Sequence, residues 1–556
     1  MTRYELVFVD TDAPSTGPVG PIARSLDELR AESSVYDDLH VEARRVLDRN
    51  PEPRNLRDVA VALESMGYTT TGARALGFDS VFDLAVAVFD LTYLYYLPRA
   101  HVAPERRSSW RRFADDYLAG SWYGVPWIMA IVVLFVGRVA LWSSLDSTPQ
   151  IAAMVSLAFF LAAVLAGACS QMMARKGTFY FLQENYPLVR WTVIRFLVYS
   201  VAIALLAVAV TYTFYVVPFY GLHLGEIFAE FAVAIFAFLL SAAPLYMLRR
   251  FYTLALATGL ALVVTLASAR LFSGNTTGMR HAQLLGLAVG SGAMVVIAAS
   301  YLAVRSDTDH GGGDSLTVVK PPELRVVLWH SAPYGVYGFA YFVMILVGPV
   351  IAGLAYGHTL GVTQFVYPST FEGSFDLALL DLVILLGLVH ASIERFGRRL
   401  VPLLKNQTLD GWGLARTALR REWAISVSIL VVISVVVAWA LPGLLLYLLP
   451  SSITAAVRSP GGLIALEVAS FGFAMIPIGM LCSQYLFFLG RPWAPMIGAL
   501  SGAIVSAVTT AVLVRNGDLA MGTWGLLAGT TVYAVITGVA SYRVLAAGEE
   551  SFYASF

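Results

Sequence analysis

From residue 122 onward the chain alternates long apolar runs with polar breaks. Twelve runs emerge, at 122–144, 150–173, 193–217, 227–248, 251–272, 282–304, 326–356, 373–394, 423–449, 462–489, 493–514 and 520–545. About 20 residues at 1.5 Å rise cross the ~30 Å hydrocarbon core, so each run predicts a membrane-spanning helix. Before residue 100 the pattern changes. YELVFV (4–9) reads as a strand, 25–49 repeats apolar positions at helical spacing, and 55–68 predicts a second helix with Asn55 as its cap. The run 81–97 is nearly long enough to span, but Asp83 and Asp90 would each cost a few kcal/mol at membrane depth. It is expected either buried in a small N-terminal domain or lying on the membrane.

The apolar runs repeat. Tyr334-Gly335-Val336 and Val347-Gly348 match Tyr123-Gly124-Val125 and Val136-Gly137 without a gap. Leu377-Ala378, Gly387, Arg395 and Gly397 likewise match Leu157-Ala158, Gly167, Arg175 and Gly177. Connections repeat too. Those after the second and eighth runs are long and partly amphipathic, predicting interfacial helices at 178–192 and 400–422, whereas those after the fourth and tenth are Leu248-Arg249-Arg250 and Leu489-Gly490-Arg491. The expected fold is therefore an all-α polytopic membrane protein with twelve transmembrane helices in two parallel six-helix repeats, related by an axis along the membrane normal. The expected organisation is an N-terminal cytoplasmic domain (1–105), a first half (106–305), a Gly- and Pro-containing linker (306–324) and a second half (325–556).

Composition agrees. A mean hydropathy of +0.70 with 58% apolar residues excludes an ordinary soluble globule. Residues 1–100 carry 16 acidic and 10 basic side chains, the remainder 21 and 27. Of the basic residues after 100, 22 fall in or at the edges of connections on one side, against Arg270, Arg280, Arg458 and Arg515 on the other. That asymmetry predicts a multi-pass protein with both termini cytoplasmic, and the expected location is the bacterial inner membrane. The start MTRYELVFVDTDAP has no basic n-region or apolar h-region, so no cleaved signal is expected. Cys169 and Cys482 sit inside runs as small packing residues. With no metal-ligand spacing, nucleophile triad or nucleotide-binding motif, neither cofactor nor enzyme activity nor a nucleic-acid partner is expected.

Several residues of the second half carry a resemblance. Pro333-Tyr334, Tyr337-Gly338, Tyr341-Phe342, Asp376-Leu377-Ala378-Leu379-Leu380 and Glu394-Arg395-Phe396 resemble the Pel exopolysaccharide exporter family, the PelG-type branch of the MOP flippase superfamily. Tyr117 and Gly120 through Trp127 are similar to that family's first-helix entry. The resemblance implies a flippase that moves a polysaccharide or lipid-linked glycan by alternating access, amid membrane lipids and served by a cytoplasmic glycosyltransferase or synthase partner. Two alternatives stand beside it: an ion-coupled small-molecule antiporter of MOP or major facilitator fold, and a non-transporting scaffold with a cytoplasmic recognition domain.

Charges within spans are costly and mark candidate sites. Arg138 lies in the first run, Asp376 and Asp381 in the eighth with Glu372 one turn above, and Glu467 in the tenth. They are expected to face a central cleft, as substrate or ion ligands or as an outer gate; the alternative is a fixed ion pair. Tyr212 and Tyr215, at the end of the third run, read as an interfacial belt or a sugar-stacking platform.

Overall fold

The computed structural model describes residues 33–49, 56–95, 109–144, 147–182, 185–272, 276–308, 324–405, 412–450, 454–455, 457–516 and 518–547. The expected strand at 4–9 and the cap at Asn55 lie outside them. The described residues fall into two compact units, one within 1–107 and one from 108 onward.

The first unit is helical: α1 (Ser33–Arg49), α2 (Leu56–Ser65), α3 (Thr70–Ala75) and α4 (Val81–Tyr95). The ambiguous run proves to be α4. Its Leu84, Ala85, Val88 and Leu91 are buried in one core with Leu39 of α1 and Val59 and Leu63 of α2. Asp83 does not enter that core. It caps α4 reciprocally with Ser80, whose hydroxyl donates to the carboxylate at 2.7 Å and accepts from the Asp83 N–H at 3.2 Å.

The second unit holds the spans. Its first half comprises α5 (Ser109–Ser121), α6 (Val125–Gly137), α7 (Pro149–Leu182), α8 (Tyr186–Thr211), α9 (Val217–Tyr220), α10 (Leu222–Met247), α11 (Phe251–Leu271) and α12 (Thr276–Thr308). Its second half comprises α13 (Leu324–Thr359), α14 (Ser369–Lys405), α15 (Trp412–Leu448), α16 (Pro460–Phe488), α17 (Trp493–Leu513) and α18 (Thr523–Ala547). Among the described residues eleven helices are long and apolar enough to cross a membrane, and a twelfth span forms if α5 and α6, bent by 57°, count as one.

Two expectations need correction. The first span is not a continuous helix over 122–144. Pro126, in the first turn of α6, cannot donate an N–H to the preceding turn, so the chain breaks there, and α6 ends at Gly137. Among the described residues, no separate helix occupies 178–192 or 400–422 either. No proline lies between the apolar run and Leu182, and α7 carries straight on through Gly177, while α14 runs through to Lys405.

The repeat is visible in packing. A Cβ on Gly137 of α6 would meet Leu266 of α11, and one on Gly348 of α13 would meet Thr510 of α17, the equivalent partner helix. The halves join through two equivalent crossings. In one, Gly167 of α7 lies against Phe342 and the Gly338 carbonyl of α13; in the other, Gly387 of α14 lies against Tyr117 and Ser121 of α5. Leucine at either glycine would have to displace a packed ring, an overpacking cost of about 1–3 kcal/mol. Gly167→Leu and Gly387→Leu should each lower the thermal midpoint in detergent. Gly292→Leu, with open space around its Cβ, should leave it unchanged.

Candidate functional site: a central acidic cavity

The crossings leave a cavity of about 270 Å³ between the halves, lined from α6, α7, α13 and α14. On α14 the lining positions are Glu372, Phe375, Asp376, Leu379, Leu382, Val383 and Leu386. They recur at three- and four-residue intervals, the stripe that one helix face presents. Glu372 and Asp376 thus stand one turn apart on the same wall. Glu372 is buried, and its Oε1 meets no hydrogen-bond donor among the described residues. Asp376 is half-buried.

The opposite wall is aromatic. After Gly137 the chain turns through Arg138, at φ 60°, into a tight reversal closed by Ala140 N–H donating to the Ser143 carbonyl at 2.8 Å. Buried Gln283 of α12 pins this reversal, its Nε2 donating to the carbonyls of Ala140 (3.0 Å) and Ser143 (3.1 Å). The reversal carries Trp142 into the cavity wall. There it stacks on Phe159 at 5.4 Å and meets Trp127 edge-on at 5.8 Å.

The expected site residues divide accordingly. Asp376 lines the cavity. Asp381 does not: five residues on at 100° per residue put it about 140° around α14. It is fully buried beside the Ser470 hydroxyl of α16, with neither carboxylate oxygen in hydrogen-bonding geometry to a described group. Arg138 is not a cation within a span but an exposed residue where α6 ends. Glu467 is exposed on α16, away from the cavity lining. Tyr212 and Tyr215 lie in a π-helical turn (Tyr212–Val216) between α8 and α9, also outside the lining. The aromatic wall escaped sequence analysis because intramembrane aromatics look alike wherever they point. The Glu372/Phe375/Asp376 spacing was the available signal.

The halves also touch at both ends. At the end bearing the arginine-rich turns, Arg249 pairs with Glu394 at 2.9 Å, Arg398 with Asp116, and Arg175 stacks over Tyr334 at 5.1 Å. At the other end the Tyr220 hydroxyl donates to the Phe365 carbonyl at 3.0 Å, and Gln364 donates to the Phe219 carbonyl. The Glu394-Arg395-Phe396 stretch is thereby explained. Glu394 reaches across the halves, Arg395 pairs within its own half with fully buried Glu422, and Phe396 packs on Tyr485. Arg395→Ala removes the ion pair of that buried carboxylate and should cost about 3–5 kcal/mol of stability. Glu422→Gln leaves only a part-exposed guanidinium that water can reach, and should cost less; thermal unfolding of the two variants compares them.

No protein-family model and no curated protein sequence matches the chain. Solved structures do. An outward-facing multidrug resistance MATE family transporter of the MOP superfamily superposes at TM-score 0.52 and 17% identity, over 79% of this chain and 95% of that one. The chain has the MOP transporter fold. An inward-facing MATE structure superposes almost equally, at TM-score 0.51 and 14% identity over 78% and 94%. A MOP superfamily transporter from Pyrococcus furiosus, described as having a binding pocket of reverse polarity and a different function, gives 0.51 and 16% over 79% and 95%.

Proposed function

We propose that this protein is an alternating-access transporter that carries a small amphipathic organic cation through the membrane, coupled to an ion. The cavity carries this reading: aromatic walls of Trp127, Trp142 and Phe159 face two carboxylates, Glu372 and Asp376, in about 270 Å³. Aromatic faces attract a cation most strongly where water is scarce, and a buried carboxylate supplies its counter-charge. Asp381 is the proposed carrier of the coupling ion, since a buried carboxylate is tolerated only when protonated or paired with a cation. The arginine asymmetry supports a cytoplasmic Arg249 end.

The glycan reading has its own support. The stacked Trp142–Phe159 pair opposite carboxylates also suits a sugar ring, and the Pel-like residues point the same way. Among the described residues lining the cavity there is no basic side chain to meet a lipid pyrophosphate. Proteoliposomes decide between them. Tetraphenylphosphonium should be driven across by an imposed proton or sodium gradient, and a lipid-linked oligosaccharide should not be flipped. Flipping without cation movement would reverse the assignment and bring the synthase partner back into consideration.

A further inference from the structure

The turns after α10 and α16 are built on one backbone. In Leu248-Arg249-Arg250, Arg249 N–H donates to the Tyr246 carbonyl at 3.1 Å and Arg250 N–H to the Leu245 carbonyl at 2.9 Å. In Leu489-Gly490-Arg491, Gly490 N–H donates to Phe487 at 3.1 Å and Arg491 N–H to Leu486 at 2.8 Å. Both are Schellman-type helix ends, and the middle residue is left-handed in each, φ 55° at Arg249 and φ 70° at Gly490. The motif favours glycine there, because a Cβ crowds the neighbouring carbonyl. The second half supplies glycine. The first half keeps an arginine in the strained position.

That arginine spends its side chain across the repeat boundary, donating from Nη2 to Glu394 Oε1 of α14 at 2.9 Å. The repeat match of Arg395 with Arg175 puts Ala174 opposite Glu394, so the mirror contact has no carboxylate. Both partners keep solvent access, with side chains 59% and 27% exposed. Such a pair can break and be rehydrated at little cost. The next residue shows the contrast: Arg395 holds Glu422, whose side chain is 0% exposed, and does so within one half. A buried ion pair within one half and a part-exposed pair between the halves thus sit side by side on α14.

We propose that Arg249–Glu394 is a conformational latch, which holds the halves together at this end and must open for the cavity to reach that side. A contact present in one state and absent in the other biases their populations by its own worth. Backbone strain kept at a residue with a side-chain task is the expected mark of such a position. The inference rests on movement between the halves but not on what is carried.

The test needs no substrate. Spin labels at Phe179→Cys and Arg421→Cys, both exposed and one on each half, report the separation at this end in the full-length protein. Arg249→Gly and Glu394→Gln should each shift the distance distribution toward the wider state by about two- to fivefold, the worth of a part-exposed pair. Arg249→Gly should do so without lowering the thermal midpoint, since glycine relieves the turn. The exchange Arg249→Glu with Glu394→Arg should return the distribution toward the original. Unchanged distances in both single variants, or a drop in stability without a shift in distance, would overturn the latch. Loss of cation transport in the proposed assay would leave these distances untouched, so the two readings fail separately.

Discussion

Glu372→Gln with Asp376→Asn gives a folded protein that no longer binds a lipophilic cation. Both carboxylates line the cavity, and neither forms an ion pair with a described residue whose charge the change would strand. The folding cost should therefore be small, and amides replace the acids at nearly the same volume. The binding cost should be large. Removing the counter-charge from a cation held among aromatic rings forfeits about 2–5 kcal/mol, roughly 30- to 5,000-fold in affinity. Trp142→Ala should cost less, about 1–2 kcal/mol, because it removes one aromatic face and keeps both charges. Equilibrium binding of tetraphenylphosphonium to the detergent-solubilised protein measures all three. Wild-type affinity in the double variant would show that the acidic wall does not hold the substrate.

Asp381→Asn separates coupling from binding. The residue is 0% exposed, lies off the cavity face of α14 and has the Ser470 hydroxyl beside it. An amide at this place carries no charge to desolvate, so the variant should fold and melt at or above the wild-type temperature. It should bind the cation normally, because Glu372 and Asp376 are untouched. Gradient-driven accumulation should vanish, leaving only exchange down the cation's own gradient. Normal gradient-driven uptake would remove Asp381 from the coupling step, and a variant that unfolds would make it a structural residue. Ser470→Ala should give a weaker form of the same defect, since it removes the neighbouring hydroxyl and keeps the carboxylate.

Several features were fixed by local pattern. The spans follow from apolar length, because hydrocarbon tolerates only helices whose backbone bonds are internally satisfied. The parallel repeat was legible from pairs such as Gly167 with Gly387 and Gly137 with Gly348. A glycine kept at a helix crossing leaves the same mark in both halves, and the structure puts each pair against equivalent partners. The run 81–97 suits two fates by its sequence, since a few acids in an apolar helix fit either. The Ser80–Asp83 cap and the partners Leu39 and Leu63 resolve it.

The rotation of side chains about their helices needed the fold. Asp376 and Asp381 are alike in sequence, two aspartates in the same half of one span. Only the packing of α14 between the cavity and α16 gives one a cavity wall and the other a buried place beside Ser470. Arg138 looked like a buried cation because the first span read as continuous to residue 144, whereas the chain stops being helical at Gly137 and turns inward. Hydropathy sums over a window and cannot register where an apolar stretch changes direction. Arg249 looked like an ordinary loop arginine. Its left-handed backbone and its reach to Glu394 arise only when the two halves meet, because a residue 145 positions away in the chain supplies the other charge. The sequence by itself determined which segments enter the membrane and that they do so twice in the same order, since both depend on local apolar length and repetition. The tertiary structure alone decided which polar groups share the cavity, which are sealed away and which join the halves, since each depends on the facing of helices far apart in the chain.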